Sequence, residues 1–271
     1  SKVSLKPSIT SLVNFFSGIT DLITVPLFST ENITHMYGMF DGCTSLTTIP
    51  LLDTSKVTNM QSMFNTCTSL KEIPLLDTSN VLTMRSMFYG CISLTTIPLL
   101  DTSKVTTMET MFKNCTSLKE IPLINTSSVT NMTSMFFGCT SLEKIPLLDT
   151  SKVTDMYDMF IRCTTITEVP ALNTSKVTNM QGMFSDCTNL TTIPILDTSN
   201  VTSLFIFVQY CTNLSDESLN NILTMCKNAT KITKTSSKTL KNIGLTEEQA
   251  NKCKTLSNYS AFTSAGWTTG Y

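Results

Sequence analysis

The apolar residues of this 271-residue chain fall into columns that repeat every 24 positions. Cysteine stands at 43, 67, 91, 115, 139, 163, 187 and 211, and proline at 26, 50, 74, 98, 122, 146, 170 and 194, with no insertion between copies. Fourteen of the fifteen methionines fill two further columns, Met36 to Met180 and Met39 to Met183, and phenylalanine follows the second from Phe40 to Phe184. A fixed period of this size is the mark of a solenoid, in which each unit buries its apolar face against its neighbours. The end copies degrade: Ile19 stands where later copies have cysteine, and Phe207-Val208 replaces Met-Phe.

One copy, Leu46 to Ser69, reads LTTIPLLDTSKVTNMQSMFNTCTS. Leu46 and Ile49 point a short strand at the core, and Pro50, which has no amide proton, ends it. Val57, Met60, Met63, Phe64 and Cys67 then recur at spacings of 3, 3, 1 and 3, the stripe of a helix of about two turns. Thr58-x-x-Gln61, Thr106-x-x-Glu109 and Thr178-x-x-Gln181 have the form of capping boxes that would open such helices. A second short strand around Val57 competes for the start of the same stripe. The expected fold is an α/β solenoid, a leucine-rich-repeat-like right-handed coil of 24-residue repeats. Each repeat supplies one short parallel strand and one short helix, and parallel strands stacked at ~4.8 Å give a rod or shallow arc of roughly 40 Å.

After Cys211 the period stops. Ser215-Asp216-Glu217 caps a helix running to about Lys227, and Thr246-Glu247-Glu248-Gln249 is a capping box for a second helix to about Leu256. Ala229 to Lys241 reads as a linker or irregular loop, and Tyr259, Phe262 and Trp267 form an aromatic cluster. The organisation is therefore an N-terminal cap and degenerate first repeat over 1–21, the solenoid over 22–214, and a helical C-terminal cap or docking module over 215–271.

The string Val-Thr-x-Met-x-x-Met-Phe-x-x-Cys-x-x-Leu, as in Val57 to Leu70, resembles the BspA-type leucine-rich repeats of bacterial surface proteins, in the variant with Asp-Thr-Ser before the valine. The resemblance covers roughly residues 13 to 214, and this chain departs from it in its strict Ile/Val-Pro step. It implies a cell-surface or secreted protein with a part in adhesion. It names no ligand, because function lies in surface residues and not in the fold.

Composition narrows the chemistry. Nineteen basic and twenty acidic residues leave a net charge of −1, with no basic run to attract nucleic acid. No stretch reaches the ~18 apolar residues of a membrane span, and the N-terminal Ser1-Lys2-Val3-Ser4-Leu5 is not a signal peptide. One histidine, His35, and the absence of GxSxG, P-loop and HExxH patterns give catalysis nothing to stand on. The expectation is a chain that is not an enzyme, with no cofactor and no metal. The cysteine column reads as buried thiols rather than disulfides or a metal site, and Cys226 and Cys253 lie off it. The Asp/Asn column, Asp53, Asp77, Asp101, Asn125, Asp149, Asn173 and Asp197, reads as turn chemistry, with a calcium ladder as the competing reading.

A partner is read where copies differ. Tyr89, Phe137, Tyr157 and Ile161 place large apolar groups where neighbouring copies place polar ones, and clustered exposed aromatics mark binding surfaces. Lys71, Glu72, Lys119 and Glu120, with Glu143-Lys144, make a competing charged strand face. The expected function is non-enzymatic binding or adhesion, a solenoid surface presented to a protein or glycan partner outside the cell or on its surface. The alternative is a structural or receptor-binding part of a larger particle such as a phage tail, which would place the chain in a virion. Self-association, or docking through the C-terminal segment, is compatible with either.

Overall fold

The computed structural model of the chain describes residue 6 and residues 8–271; Ser1 to Leu5, read above as no signal peptide, lie outside the described residues, as does Pro7. From Ser11 to Ser203 the chain winds through nine stacked rungs. They are joined by one column of parallel single-residue bridges, Ser11 to His35 to Asn59 to Thr83 and onward to Asn179 and Ser203. The column passes through the residue two after Val57. The expected strand at Leu46–Ile49 is not a regular one: among the described residues that face holds the single bridge Glu168 to Thr192 and scattered bonds such as Thr95 N–H to the Lys71 carbonyl (3.2 Å).

The expected helix in each repeat is also absent. Met60 to Cys67 is a staircase of turns. Every second amide leaves its own rung: those of Ser62, Phe64 and Thr66 donate to the carbonyls of Arg85, Met87 and Tyr89, at 2.9, 2.9 and 2.6 Å. The amides between them close four-residue turns, Met63 to Met60, Asn65 to Ser62 and Cys67 to Phe64. A helix would spend every amide within the rung, so the two arrangements exclude each other. Both put one side chain in three or four on the inner face, which is why spacing alone did not separate them. The turns need a positive φ at two positions per rung, as at Ser62 and Thr66 (both 54°). Glycine fills the same positions at 38, 42, 90, 138 and 182, each with positive φ.

The supposed capping threonines serve the stack. The Thr58, Thr106 and Thr178 hydroxyls donate to the carbonyls of Thr34, Leu82 and Thr154 one rung back, at 3.4, 3.4 and 3.2 Å. A second buried column, including Thr30, Thr78 and Thr102, donates forward to the carbonyls of Asp53, Asp101 and Asn125. The threonine richness of the chain is thus a means of tying rungs together.

The core is continuous. Val, Met, Met, Phe, Cys and Leu of every rung from 57 to 190 are buried, with isoleucine standing for leucine at 166. Phenylalanine rings from Phe16 to Phe184 form one stack, with centroids 5.5–5.7 Å apart and planes within 10°. Phe207 ends it edge-on, at 74° to Phe184. Each ladder thiol donates to the carbonyl of the phenylalanine 27 residues before it, as from Cys67 to Phe40 and from Cys115 to Phe88 (3.0 Å each).

The last rung meets four helices: α1 (Asp216–Asn228), α2 (Leu240–Ile243), α3 (Glu247–Cys253) and α4 (Tyr259–Ser264). Ser215 caps α1 and a Thr246–Gln249 capping box opens α3, as the sequence suggests. The amides of Ile206 and Val208, which would donate to a further rung, donate instead to the carbonyls of Asn242 and Ile243 (2.9 and 3.0 Å). The Gln249 side chain donates to the Cys211 carbonyl, and Tyr259, Phe262 and Trp267 pack in sequence at 5.7 and 5.9 Å. Gly244, at φ 98°, lies so close to Gln209 that a Cβ there would stand 2.5 Å from its Cα.

Candidate interaction surface

Reactive groups are held inside the rungs or tied up in turns. All ten cysteines are free and buried. Burial raises the thiols above their ordinary range, Cys139 and Cys211 to about 12. A thiol held protonated is neither a nucleophile nor a metal ligand. His35 is exposed and bonded through Nδ1 to the Thr34 hydroxyl beside it (2.9 Å).

The aspartate column does turn chemistry. Asp101 Oδ1 accepts from the Ser103 amide (3.0 Å), and Asn125 and Asn173 do the same for Ser127 and Ser175. The backbone and side-chain donors of Ser103 hold the Asp101 carboxyl below the usual range, and those of Ser151 and Ser199 act likewise on Asp149 and Asp197. A depressed folded value means that this contribution is present above pH ~3.9 and is lost as pH falls through the lowered values. Replacing Asp101 by alanine should lower the thermal midpoint by about 2–4 °C, the scale of one such hydrogen bond, and Asp101→Asn, which keeps the acceptor and loses the charge, should lower it by less. Calorimetry of the two variants checks this.

Two faces carry the residues that differ between copies. On the turn face, Tyr89, Phe137 and Tyr157 are half-buried, with rims open to solvent. The Lys113 ammonium lies 4.3 Å over the Phe137 ring, and Arg85 pairs with Glu109 at 2.9 Å. The three aromatics thus fall within four successive rungs, with Lys113 between Tyr89 and Phe137 in one column and Tyr157 in the neighbouring column that also holds Arg85. Ile161 does not belong with them. It is 8% exposed and lies over Gly182, filling the space that side chains such as Ser134 and Asp158 take in earlier rungs. Its exclusion from the surface corrects the sequence reading. Lys71, Glu72, Lys119 and Glu120 are all exposed on the other face, where Lys119 meets Glu143 at 4.0 Å. A pair so open to water contributes little.

A third feature escaped the sequence reading. Leu51, Leu75, Leu99, Leu123 and Leu147 are 62–66% exposed, one on each of five consecutive rungs. The signal was present in the Leu51-Leu52 doublet. Ile49 and Leu52 both point inward, so the extended chain between them must turn Leu51 out.

A cleft of about 710 Å³ lies where the cap meets the last rung, between Leu214, Leu219, Glu248, Gln249 and Lys252. Lys252 is held by Asp216 at 3.1 Å. Among the described residues no cluster of three His, Cys, Asp or Glu is placed to share a metal ion, and no helix is long and apolar enough to cross a membrane.

The sequence matches a family profile, "Mycoplasma protein of unknown function, DUF285", over residues 10–122, 94–188 and 143–245. The chain belongs to the DUF285 family. Overlapping matches spanning both solenoid and cap are what a repeat family produces when its unit recurs at a fixed period. No curated protein matches this DUF285 chain. Solved structures that the chain partly resembles include bacterial leucine-rich repeat proteins. One from Eubacterium ventriosum is 20% identical, with a TM-score of 0.46 over 62% of this chain and 44% of that one. One from T. pallidum is 21% identical, with a TM-score of 0.42 over 74% and 81%. A leucine-rich cell surface protein of Faecalibacterium prausnitzii is 19% identical, with a TM-score of 0.36 over 79% and 78%. The DUF285 chain spans less than half the length of the Eubacterium ventriosum protein.

Proposed function

We propose that the chain is a non-enzymatic binding protein of the cell surface, which offers the turn face of its solenoid to a protein or glycan partner. The observation that carries this reading is the group of Tyr89, Phe137 and Tyr157 with Lys113 and Arg85, set on rungs whose backbone is fixed by bonds to the next rung. Aromatic and arginine side chains on a rigid base lose little freedom on binding and are enriched at the energetic centres of interfaces. Rings with open rims also suit the apolar faces of sugars. The BspA-type repeat supports the surface placement. The burial of every thiol supports a role in recognition rather than reaction.

Arrays of extracellular proteins and glycans, probed with the purified chain, give the partner. The decisive variant is Tyr89→Ser, Phe137→Ser, Tyr157→Gln, which installs the residues that Ser185 and Gln181 already place in the same columns. Binding should weaken at least tenfold, about 1.4 kcal/mol, with an unchanged thermal midpoint. Full affinity in a folded triple variant would remove this face from the reading.

A further inference from the structure

The row of leucines is a ridge, and its neighbours in sequence alternate with it: Pro50, Leu52 and Thr54 are buried or half-buried, while Leu51 and Asp53 stand out. Ile195 extends it at 55% exposed, and only Ala171 leaves a dip. Scattered surface leucines are ordinary, but an aligned row over successive rungs is not.

We propose that this ridge is a self-association surface, and that its occupant is the same ridge on a second copy of the chain. Three observations select that occupant. The first is pitch. The ridge repeats once per rung, every 24 residues, and successive rungs place their phenylalanine rings 5.5–5.7 Å apart. A second copy has the same interval by construction, so its ridge stays in step along the whole row. An extended strand presents one face every ~6.6 Å and loses step within a few rungs. A helix is recognised by a groove rather than by a protruding row.

The second is area. A leucine buried in full is worth ~1.5–3 kcal/mol at ~25 cal/mol per Å², which corresponds to on the order of 100 Å². The six side chains from Leu51 to Ile195 and the prolines beside them thus offer on the order of 500 Å² of apolar surface. A stable dimer buries ~800 Å² per partner, of which ~65% is apolar. The ridge supplies the apolar share of one such interface and its flanks the polar rim.

The third is charge. One flank carries Asp53, Asp101 and Asp149 with Lys56, Lys104 and Lys152 three residues on. The other carries Lys71-Glu72, Lys119-Glu120 and Glu143-Lys144, neutral rung by rung. Neither flank has a one-sign field to hold two copies apart or to select an oppositely charged stranger.

Sedimentation equilibrium of the whole chain from 1 to 100 µM, in reductant, tests the proposal. The expected result is a reversible dimer. Leu75→Ala, Leu99→Ala, Leu123→Ala should raise its dissociation constant at least tenfold with an unchanged circular dichroism spectrum, since Ala171 already occupies this column. The turn-face variant Tyr89→Ser, Phe137→Ser, Tyr157→Gln should dimerise as the parent does. A parent that is monomeric at 100 µM overturns the proposal, as does a dimer that survives the leucine variant or is lost in the turn-face variant. If the alanine variant is unfolded, Leu99→Lys alone gives the same reading.

Discussion

Raising the pH from 7 to about 9.5 should unfold the chain. The thiols of Cys67 to Cys211 on the ladder and of Cys226 are all raised by burial, which penalises the thiolate. In the unfolded chain each titrates near pH ~8.5. Because the folded values are raised, the folded state keeps its protons while the unfolded state loses them. Stability is therefore intact below pH ~8.5 and declines from there towards the folded values, about 12 for Cys139 and Cys211. One unit above 8.5 the loss is about 1.4 kcal/mol per thiol, or about 11 kcal/mol for the eight together. A whole domain is commonly worth only ~5–15 kcal/mol. Circular dichroism with a phosphine reductant should show the repeat signal collapse between about pH 9 and 10. Cys115→Ala should reduce the slope of stability against pH by about 1.4 kcal/mol per unit. A midpoint of denaturation in urea that stays constant from pH 7 to 10 would refute the account.

Removing one ring from the middle of the phenylalanine stack should have the next largest effect. Phe112 is fully buried, with Phe88 and Phe136 each 5.6 Å away. The planes lie within 10° at a spacing too wide for direct face-to-face contact, so each ring covers its neighbour with an offset. Phe112→Ala costs about 3–5 kcal/mol, because rungs held by their neighbours' hydrogen bonds cannot collapse into the space. The break falls between two blocks of rungs, each still in contact with its own neighbours. Urea unfolding should change from one transition to two, the block joined to the cap melting last. A single transition displaced by less than 1 kcal/mol would mean that the stack does not couple the rungs.

The repeat, its core columns and the two capped helices α1 and α3 were legible in the sequence because each rests on local spacing or a local cap. The staircase was not, because its defining bonds join residues 23 apart, Ser62 to Arg85 and Phe64 to Met87, and leave the local apolar spacing helix-like. The glycines at 38, 42, 90, 138 and 182 were the available clue, since positive φ twice per rung does not suit a helix. The surface was only partly legible. Tyr89, Phe137 and Tyr157 stand out in the sequence because they break their columns, and they are half-exposed; Ile161 breaks the column of Tyr89 and Phe137 but is buried, because its cover depends on Gly182 in the next rung. The leucine ridge was missed for the opposite reason, since leucine repeated in five consecutive copies looks like core.

The bonds that leave each rung run along the axis of the stack, from Ser62 to Arg85 and on through every copy. A pull on the two ends loads them lengthwise, one rung boundary at a time. A rung adds about 5.6 Å while folded, the spacing of the Phe40 and Phe64 rings, yet its 24 residues extend to ~80 Å once peeled away. A molecule anchored at one end and gripped at the other would yield in steps of that length, and each lost rung would re-form on the template below it when the tension drops.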